Sequence, residues 1–516
     1  MLGLLLLVLL VPACSGLRLT AMTFNLFYGG TSLNLTDGSW CHPRPHGCPG
    51  NLERVAAAIR FAGADVVGLE ETEGNTEAVA ALLGWHWSAR AHVVSRFRLA
   101  QLSDEPNPLR AALVEAAPGA WLLLGVAHAP SDPYGPYLVR DNVSLATVLA
   151  LERDFRAPPV LDFAGRLAAR AGQLGLPWLL VGDFNCPSQL DWTPAAVAAR
   201  GLPRPVVWPL GLLLAQRLGA LDAFRAVRPD PAAAPGITWT PWGPEDEPPL
   251  LEIDDRVDWI LAGPGVAPRS ADVVGAPGAW RFWPWPSDHY AVRAELELQP
   301  ARALRLAAAH SRVTPDVPLP VFCNDSALAV TLDGTPLVLP AGWSNLSVAA
   351  LAEGVHVLAA PPTEVRFWVV RSPTSIAMAD PTVYSGNPIP VMIRNAPGQM
   401  LDYLAVYPCG GSVNSPAVYV YTEALISGTV IIQPPFYNEG NHPLWPLPPG
   451  CYAVALLRDD DPTARAAQAI SFIVAPPLLA WYVYVAPVIA VLLMLSGVVL
   501  LCLAYRRRKD ARFEHI

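Results

Sequence analysis

Short apolar runs in the first 300 residues repeatedly stop on groups that carry chemistry. "MTFN" closes on Asn25, "DVVGLEET" on Glu70, Glu71 and Thr72, "LLLGVAH" on His128, and "WLLVGDFN" on Asp183 and Asn185. Further on, "RVDW" sets Asp258 between Val257 and Trp259, and "WPSDH" brings Asp288 and His289 just before the final run. Apolar runs of this length bounded by turn residues predict buried strands. Alternate residues of a strand share a face, so Asp183 and Asn185 are expected to point one way and Phe184 the other. One polar stop reads as a turn, whereas six predict that the strand ends meet at a site. Asp258 is the most constrained, because a carboxylate inside an apolar run is costly to bury alone; His289 is its expected partner.

Between these runs, "NLERVAAAIRFAG" and "PVLDFAGRLAARAGQLG" have helical periodicity, the first ending at Gly63. Strands mixed with helices predict a layered α/β domain over residues 16–300. After Gln299 the pattern changes to period-two runs such as "EVRFWVV", "DYLAVYP" and "CYAVALL", separated by Gly, Pro and Asn turns. These predict β-sandwich modules over 301–372 and 373–476.

The ends predict topology. "MLGLLLLVLLVPACSG" reads as a signal peptide over 1–15, and the uncharged stretch 478–505 reads as a membrane helix. Arg506, Arg507, Arg508 and Lys509 then mark a short cytosolic tail, 506–516. The expected protein is single-pass and type I, with its large domain outside the cell or in a secretory or endolysosomal lumen. Glycosylation sequons at Asn34, Asn142, Asn324 and Asn345 agree with that placement. So do six cysteines in the same region: Cys41–Cys48 and Cys409–Cys451 are the expected disulfides, and Cys186 and Cys323 are either paired or free. "CHPRPHGC" also offers Cys41, His42, His46 and Cys48 as metal ligands, but its spacing matches no common zinc pattern. A formal net charge of −9 argues against tight non-specific nucleic-acid binding, while leaving room for a locally basic groove.

The ordered set "TFN…LEET…VAH…GDFN…RVDW…SDH" resembles the endonuclease/exonuclease/phosphatase superfamily. That group includes deoxyribonucleases, abasic-site endonucleases, inositol-polyphosphate phosphatases and neutral sphingomyelinases. "HAPSDPYGPYLVRD", "PSQLDWT" and "GITWTP" look like a secreted or surface subgroup of it, in which His is expected where Gln189 stands. The resemblance covers a little over half the chain. It implies a DNase I-like, four-layer αββα sandwich and dependence on Mg2+, with Mn2+ as a substitute. It also implies Glu71 as the principal metal ligand, Asn25 assisting, Asp288 as a second metal or water ligand, and a supporting role for Glu70, where members often have Gln. Asp183 would be the general base, Asn185 would hold the phosphoryl oxygen or the attacking water, and His128 would be the general acid. His289, paired with Asp258, would bind the phosphate. "DYLAVYP" with "LPPGCYAVALL" is similar to the Ig-like or SKICH-like sandwich that accompanies some membrane-associated phosphatases.

The expected function is a phosphoric-ester hydrolase, phosphodiesterase or phosphatase, acting on a lipid or small phosphodiester. A nuclease on the same fold and a catalytically idle binding ectodomain are the alternatives. The acidic "PWGPEDEPPLLEIDD" disfavours a polyanion near the site, and "WRFWPWP" is either an apolar contact for substrate or internal packing.

Overall fold

The computed structural model describes residues 16–476 other than 36–40, 42–46, 49, 103–108, 240–252, 277–278, 300–303, 362, 414, 435–443 and 460, and beyond 476 only residue 494. The expected signal peptide and tail, and all of the expected membrane stretch but residue 494, lie outside the described residues. Among those described, no helix is long and apolar enough to cross a membrane.

Two mixed sheets face each other. The first has the order Val266–Val274, Ala291–Leu298, Leu17–Asn25, Val66–Glu70, Val93–Ser95, His86–Ser88. The second runs Gly342–Leu346, Leu319–Cys323, Leu306–Ala308, Leu99–Gln101, Ala111–Ala117, Ala120–His128, Trp178–Asp183, Asp258–Ala262, Leu221–Asp222. Strand parity assigns the faces. Leu19, Ala21, Val66, Val126, Val181, Ile260 and Val292 share one buried cluster between the sheets. Met22, Phe24, Val67 and Leu69 turn outward onto the helix Asn51–Ala62, which Gly63 caps at φ 62°. On the far side, Leu180, Phe184 and Trp259 meet Phe163 and Leu167 of the helix Ala157–Leu174. The layers are therefore helix, sheet, sheet, helix. Gly68 marks how closely the sheets approach: a Cβ there would lie 2.4 Å from Val181 and 2.8 Å from Val126.

The same parity fixes the polar ends. Asn25 follows Leu19 and Ala21, Glu70 follows Val66, His128 follows Val126, Asp183 follows Val181, and Asp258 precedes Ile260. All five therefore face the space between the sheets, at the one end where the apolar packing stops. Registry aligns them further: Asn25 pairs with Glu70, and Asp183 pairs with both His128 and Asp258.

Residues 301–372, read from sequence as a separate sandwich, share the second sheet. Its strands Leu306–Ala308, Leu319–Cys323 and Gly342–Leu346 continue beyond Leu99–Gln101, through the pair Ala308–Gln101, and pack on a five-stranded sheet. Residues 375–475 form a further sandwich, whose two sheets enclose Val391, Ile393, Leu404, Val454 and Phe472. Disulfides join Cys41 to Cys48 and Cys409 to Cys451, while Cys186 and Cys323 are buried free thiols. Of the alternative metal set in "CHPRPHGC", Cys41 and Cys48 are thus bonded to each other, and His42 and His46 lie outside the described residues.

Buried ions brace the two loops that lead to Asp183 and Asp258. Arg256 holds Asp222 at 2.6 Å and Asp191 at 3.1 Å, and Arg225 holds Asp191 at 2.6 Å. Next to it, Asp255 accepts from Tyr134 at 3.0 Å and Trp192 at 2.9 Å. Replacing Arg256 with Met would leave Asp191 only Arg225 and Asp222 only backbone N–H donors, and breaking a buried pair costs about 3–5 kcal/mol. Arg256→Met is expected to lower stability by that order in denaturant titration, and Arg256→Lys to rescue it poorly, since one ammonium cannot span both acids. Burial, against the pull of Arg200, pushes Asp255 from its ordinary 3.8 to about 7. The folded state thus keeps a proton that the unfolded chain releases, so this stability is full below about pH 4 and is lost as pH rises through about 7. Calorimetry of the protein in EDTA should show a higher midpoint at pH 5 than at pH 8, with the difference reduced in Asp255→Asn.

Candidate active site

The strand ends converge on one carboxylate. Asp183 Oδ2 accepts from Asn25 Nδ2 at 3.1 Å, and it lies 3.6 Å from His128 Nε2 and 3.7 Å from His289 Nε2. Its other oxygen accepts from the backbone N–H of Asn185 at 2.8 Å. Asn25 Nδ2 also donates to Glu71 Oε1 at 2.9 Å, and Glu71 Oε2 accepts from Tyr28 N–H at 3.0 Å. Glu71 is therefore aimed by the first strand and by the turn that follows it, with its own backbone in the left-handed region at φ 50°. Such a conformation is uncommon outside Gly, Asn and Asp and persists only where the surroundings hold it.

His289 Nδ1 lies 3.0 Å from Asp258 Oδ2. Burial alone would lower the pKa of this imidazole, but Asp258, Asp183 and Asp288 together hold it well above the ordinary histidine value. Burial pushes the Asp258 carboxyl up, against His289 and with help from Asp183. It pushes Glu70 up as well, with Asp258 adding repulsion. Asp288, beside Glu71 and Asp183, is raised by burial to about 7 even with His289 opposing. The ensemble is a charged imidazole inside a ring of acids.

Asn185 departs from the expected geometry. The strand ends at Asp183, and Asn185 has φ 47°, so the two side chains do not share a face through strand parity. The Asp183 carboxylate captures the Asn185 N–H in an Asx turn, and Asn185 Nδ2 donates to Ala129 O at 2.9 Å. Asn185 stays at the site as the brace of the Asp183 turn. Among the four sequons, Asn142, Asn324 and Asn345 are exposed and Asn34 is half-buried.

Two residues that the sequence reading left without roles complete the scaffold. Ser287 Oγ donates to Asn25 O at 2.7 Å and accepts from His289 N–H at 3.1 Å, tying the first strand to the histidine loop. Thr238 Oγ1 accepts from the N–H groups of Val257 and Asp258 at 3.0 and 3.1 Å. Both belong to quoted motifs, "WPSDH" and "GITWTP", but only the fold reveals their partners.

The donor set suits a hard divalent cation. Asp183, Asp258 and His289 bring potential ligand atoms within 4.8 Å of one another. A charged imidazole donates from both nitrogens and does not ligate, so His289 is left as a hydrogen-bond donor rather than a ligand. The oxygens of Glu71 and Asp288, together with Asn25 Oδ1, which also accepts from the Phe27 N–H at 2.9 Å, are the donors for the cation. Glu70 Oε2 and Asp258 Oδ1 are buried oxygens without a hydrogen-bond partner, acceptors that a cation or a donated hydrogen bond would satisfy.

Comparison with known proteins agrees with this arrangement. The model of the Endonuclease/Exonuclease/phosphatase family matches residues 22–289. The uncharacterized Caenorhabditis elegans protein F14F9.5 is 27% identical over 305 residues, covering 54% of this chain and 91% of that one. Among solved structures, an endonuclease/exonuclease/phosphatase from Beutenbergia cavernae is 14% identical, covering 89% of this chain and all of that one at a TM-score of 0.33. The human Nocturnin catalytic domain, with bound sulfate, is 13% identical, covering 55% and 95% at 0.32. These structural likenesses are too slight to bear on chemistry. The family match spans more than half the chain and takes in every residue of the converging site, from Asn25 to His289: the chain belongs to the Endonuclease/Exonuclease/phosphatase family.

Proposed function

We propose that this protein is a Mg2+-dependent phosphoric-ester hydrolase acting on a lipid or small phosphodiester from an extracellular or lumenal face. The observation that carries the reading is the meeting of Asn25, His128 and His289 on Asp183 Oδ2. Glu71, with Asn25 and Asp288, would hold the cation, which when bound supplies positive charge to the phosphate. Asp183 is placed to take the proton of an attacking water, with the Asn185 turn fixing its orientation. The His289 imidazolium, held by Asp258, donates a hydrogen bond to the phosphoryl oxygen as charge grows there. His128, partly exposed at the rim, is the group able to give a proton to the leaving oxygen.

A lipid preference draws support from the aromatic segment before His289. Trp285 packs on Phe24 with ring centres 4.9 Å apart, so part of "WRFWPWP" is internal packing. Trp283, however, is 75% exposed and Phe61 is 41% exposed, and Phe61 lies against Trp280 and Phe282. An indole open to solvent suits an interface between water and acyl chains. The lumenal or cell-surface placement is supported by two disulfides and by exposed sequons at Asn142, Asn324 and Asn345.

The test offers sphingomyelin, phosphatidylinositol phosphates, DNA, RNA and a bis-aryl phosphodiester to the purified protein, with and without Mg2+. Turnover is expected on a lipid or the small diester, and Asp183→Asn should lower kcat by roughly 10²–10⁴-fold. His289→Ala should cost about 10²–10³-fold in kcat with little change in KM, the signature of a contact made in the transition state. Silence on every substrate from folded protein that binds Mg2+ would favour the idle binding ectodomain instead.

A further inference from the structure

The C-terminal sandwich touches the catalytic layers at a point that bears on Glu71. Asp459 Oδ1 lies 2.5 Å from His92 Nε2, and both side chains are almost wholly buried. The other oxygen of Asp459 lies 3.5 Å from the hydroxyl of Thr72, which is 3.4 Å from the same His92 nitrogen. His92 also acts through its backbone, accepting from Leu69 N–H at 2.9 Å. It thus brackets Glu71 in the chain, its carbonyl on residue 69 and its ring on residue 72. His92 and Asp459 both have left-handed backbones, at φ 49° and 43°, as Glu71 does at 50°. Asp459 is itself fixed: its N–H donates to Asp402 Oδ1 at 3.1 Å, and Leu401 N–H reaches its Oδ1 at 3.4 Å. Met400 N–H donates to Ala89 O at 3.1 Å, so the contact is a seam of several bonds.

We propose that Asp459 is a positioning residue for Glu71, acting through His92 and Thr72, and that the C-terminal sandwich is thereby a structural part of the metal site. A bulky residue in the left-handed region needs its neighbours to hold it there. Tyr28 and Gly29 do this on one side, their N–H groups donating to the Glu71 side chain and carbonyl. Asp459 does it on the other, across 387 residues of sequence from Thr72. A buried carboxylate that orders an imidazole, which in turn orders a ligand-bearing turn, is the outer-shell support that metal sites need. The proposal rests on Glu71 being a metal ligand.

The test measures Mn2+ affinity by electron paramagnetic resonance on the whole protein, with circular dichroism to confirm folding. Glu71→Gln sets the scale of a lost ligand. Asp459→Ala is expected to weaken binding by roughly 10–100-fold, and Asp459→Asn, which keeps an acceptor for His92, by less. Glu423→Gln is the control: it removes an ion pair with Arg110, 3.3 Å away, that also joins the sandwich to the catalytic layers, and should leave affinity unchanged. Wild-type affinity in folded Asp459→Ala, beside a weakened Glu71→Gln, would overturn the relay. Equal loss in Glu423→Gln would also overturn it, by reducing it to general docking. Wild-type affinity in Glu71→Gln would refute the metal-ligand reading and the relay with it. Should Asp459→Ala not fold, Asp459→Asn and His92→Gln decide by the same criteria.

Discussion

His289 sits where acids from both sheets come together, and its charge is what lets them remain there. Asp258 is 3.0 Å away and Asp183 3.7 Å. Two like charges at about 4 Å repel by about 4 kcal/mol at an effective dielectric of about 20, and these groups have little solvent to relieve them. A cation between them turns repulsion into cohesion. The same ring then presents a hydrogen-bond donor where the acids alone would repel a phosphate. Burial strengthens both effects, because every interaction at the site acts in a medium of lower dielectric than water.

Much of this was legible in the chain because it follows from strand parity and from the cost of burial. Asp258 stood out as a carboxylate flanked by Val257 and Trp259, and its partner is the histidine of "SDH". The αββα layering followed from strands interleaved with helices, and the helix ending at Gly63 has the expected left-handed cap. Parity failed where a side chain competed with the backbone: Asp183 closes an Asx turn, and Asn185 leaves the strand's face. The supports of the site were hidden because they are long-range. Ser287 reaches Asn25 across 262 residues, and Thr238 reaches Asp258 across 20 with no repeating pattern between them.

The region after residue 300 taught a related lesson. Period-two alternation reports that a strand has one buried face, but not which sheet it joins. Leu319–Cys323 and Gly342–Leu346 lie within the period-two region, yet they extend the sheet that carries Asp183. Pairing partners are chosen by tertiary packing, here by the cluster of Leu306, Leu319, Val321 and Phe367, which no local window contains.

Among the described residues the nine-stranded sheet has two unpaired margins, and a long sheet with an unprotected margin invites pairing with another molecule. One margin is the two-residue strand Leu221–Asp222, too short to template a partner. The other is Gly342–Leu346, long enough to be a hazard, and Asn345 stands exposed upon it within an N-L-S sequon. A glycan at that asparagine would cover the margin with hydrated sugar. Its consequence would be colloidal: it would keep one copy of the sheet from growing onto the next while the chain is crowded in the compartment where it folds.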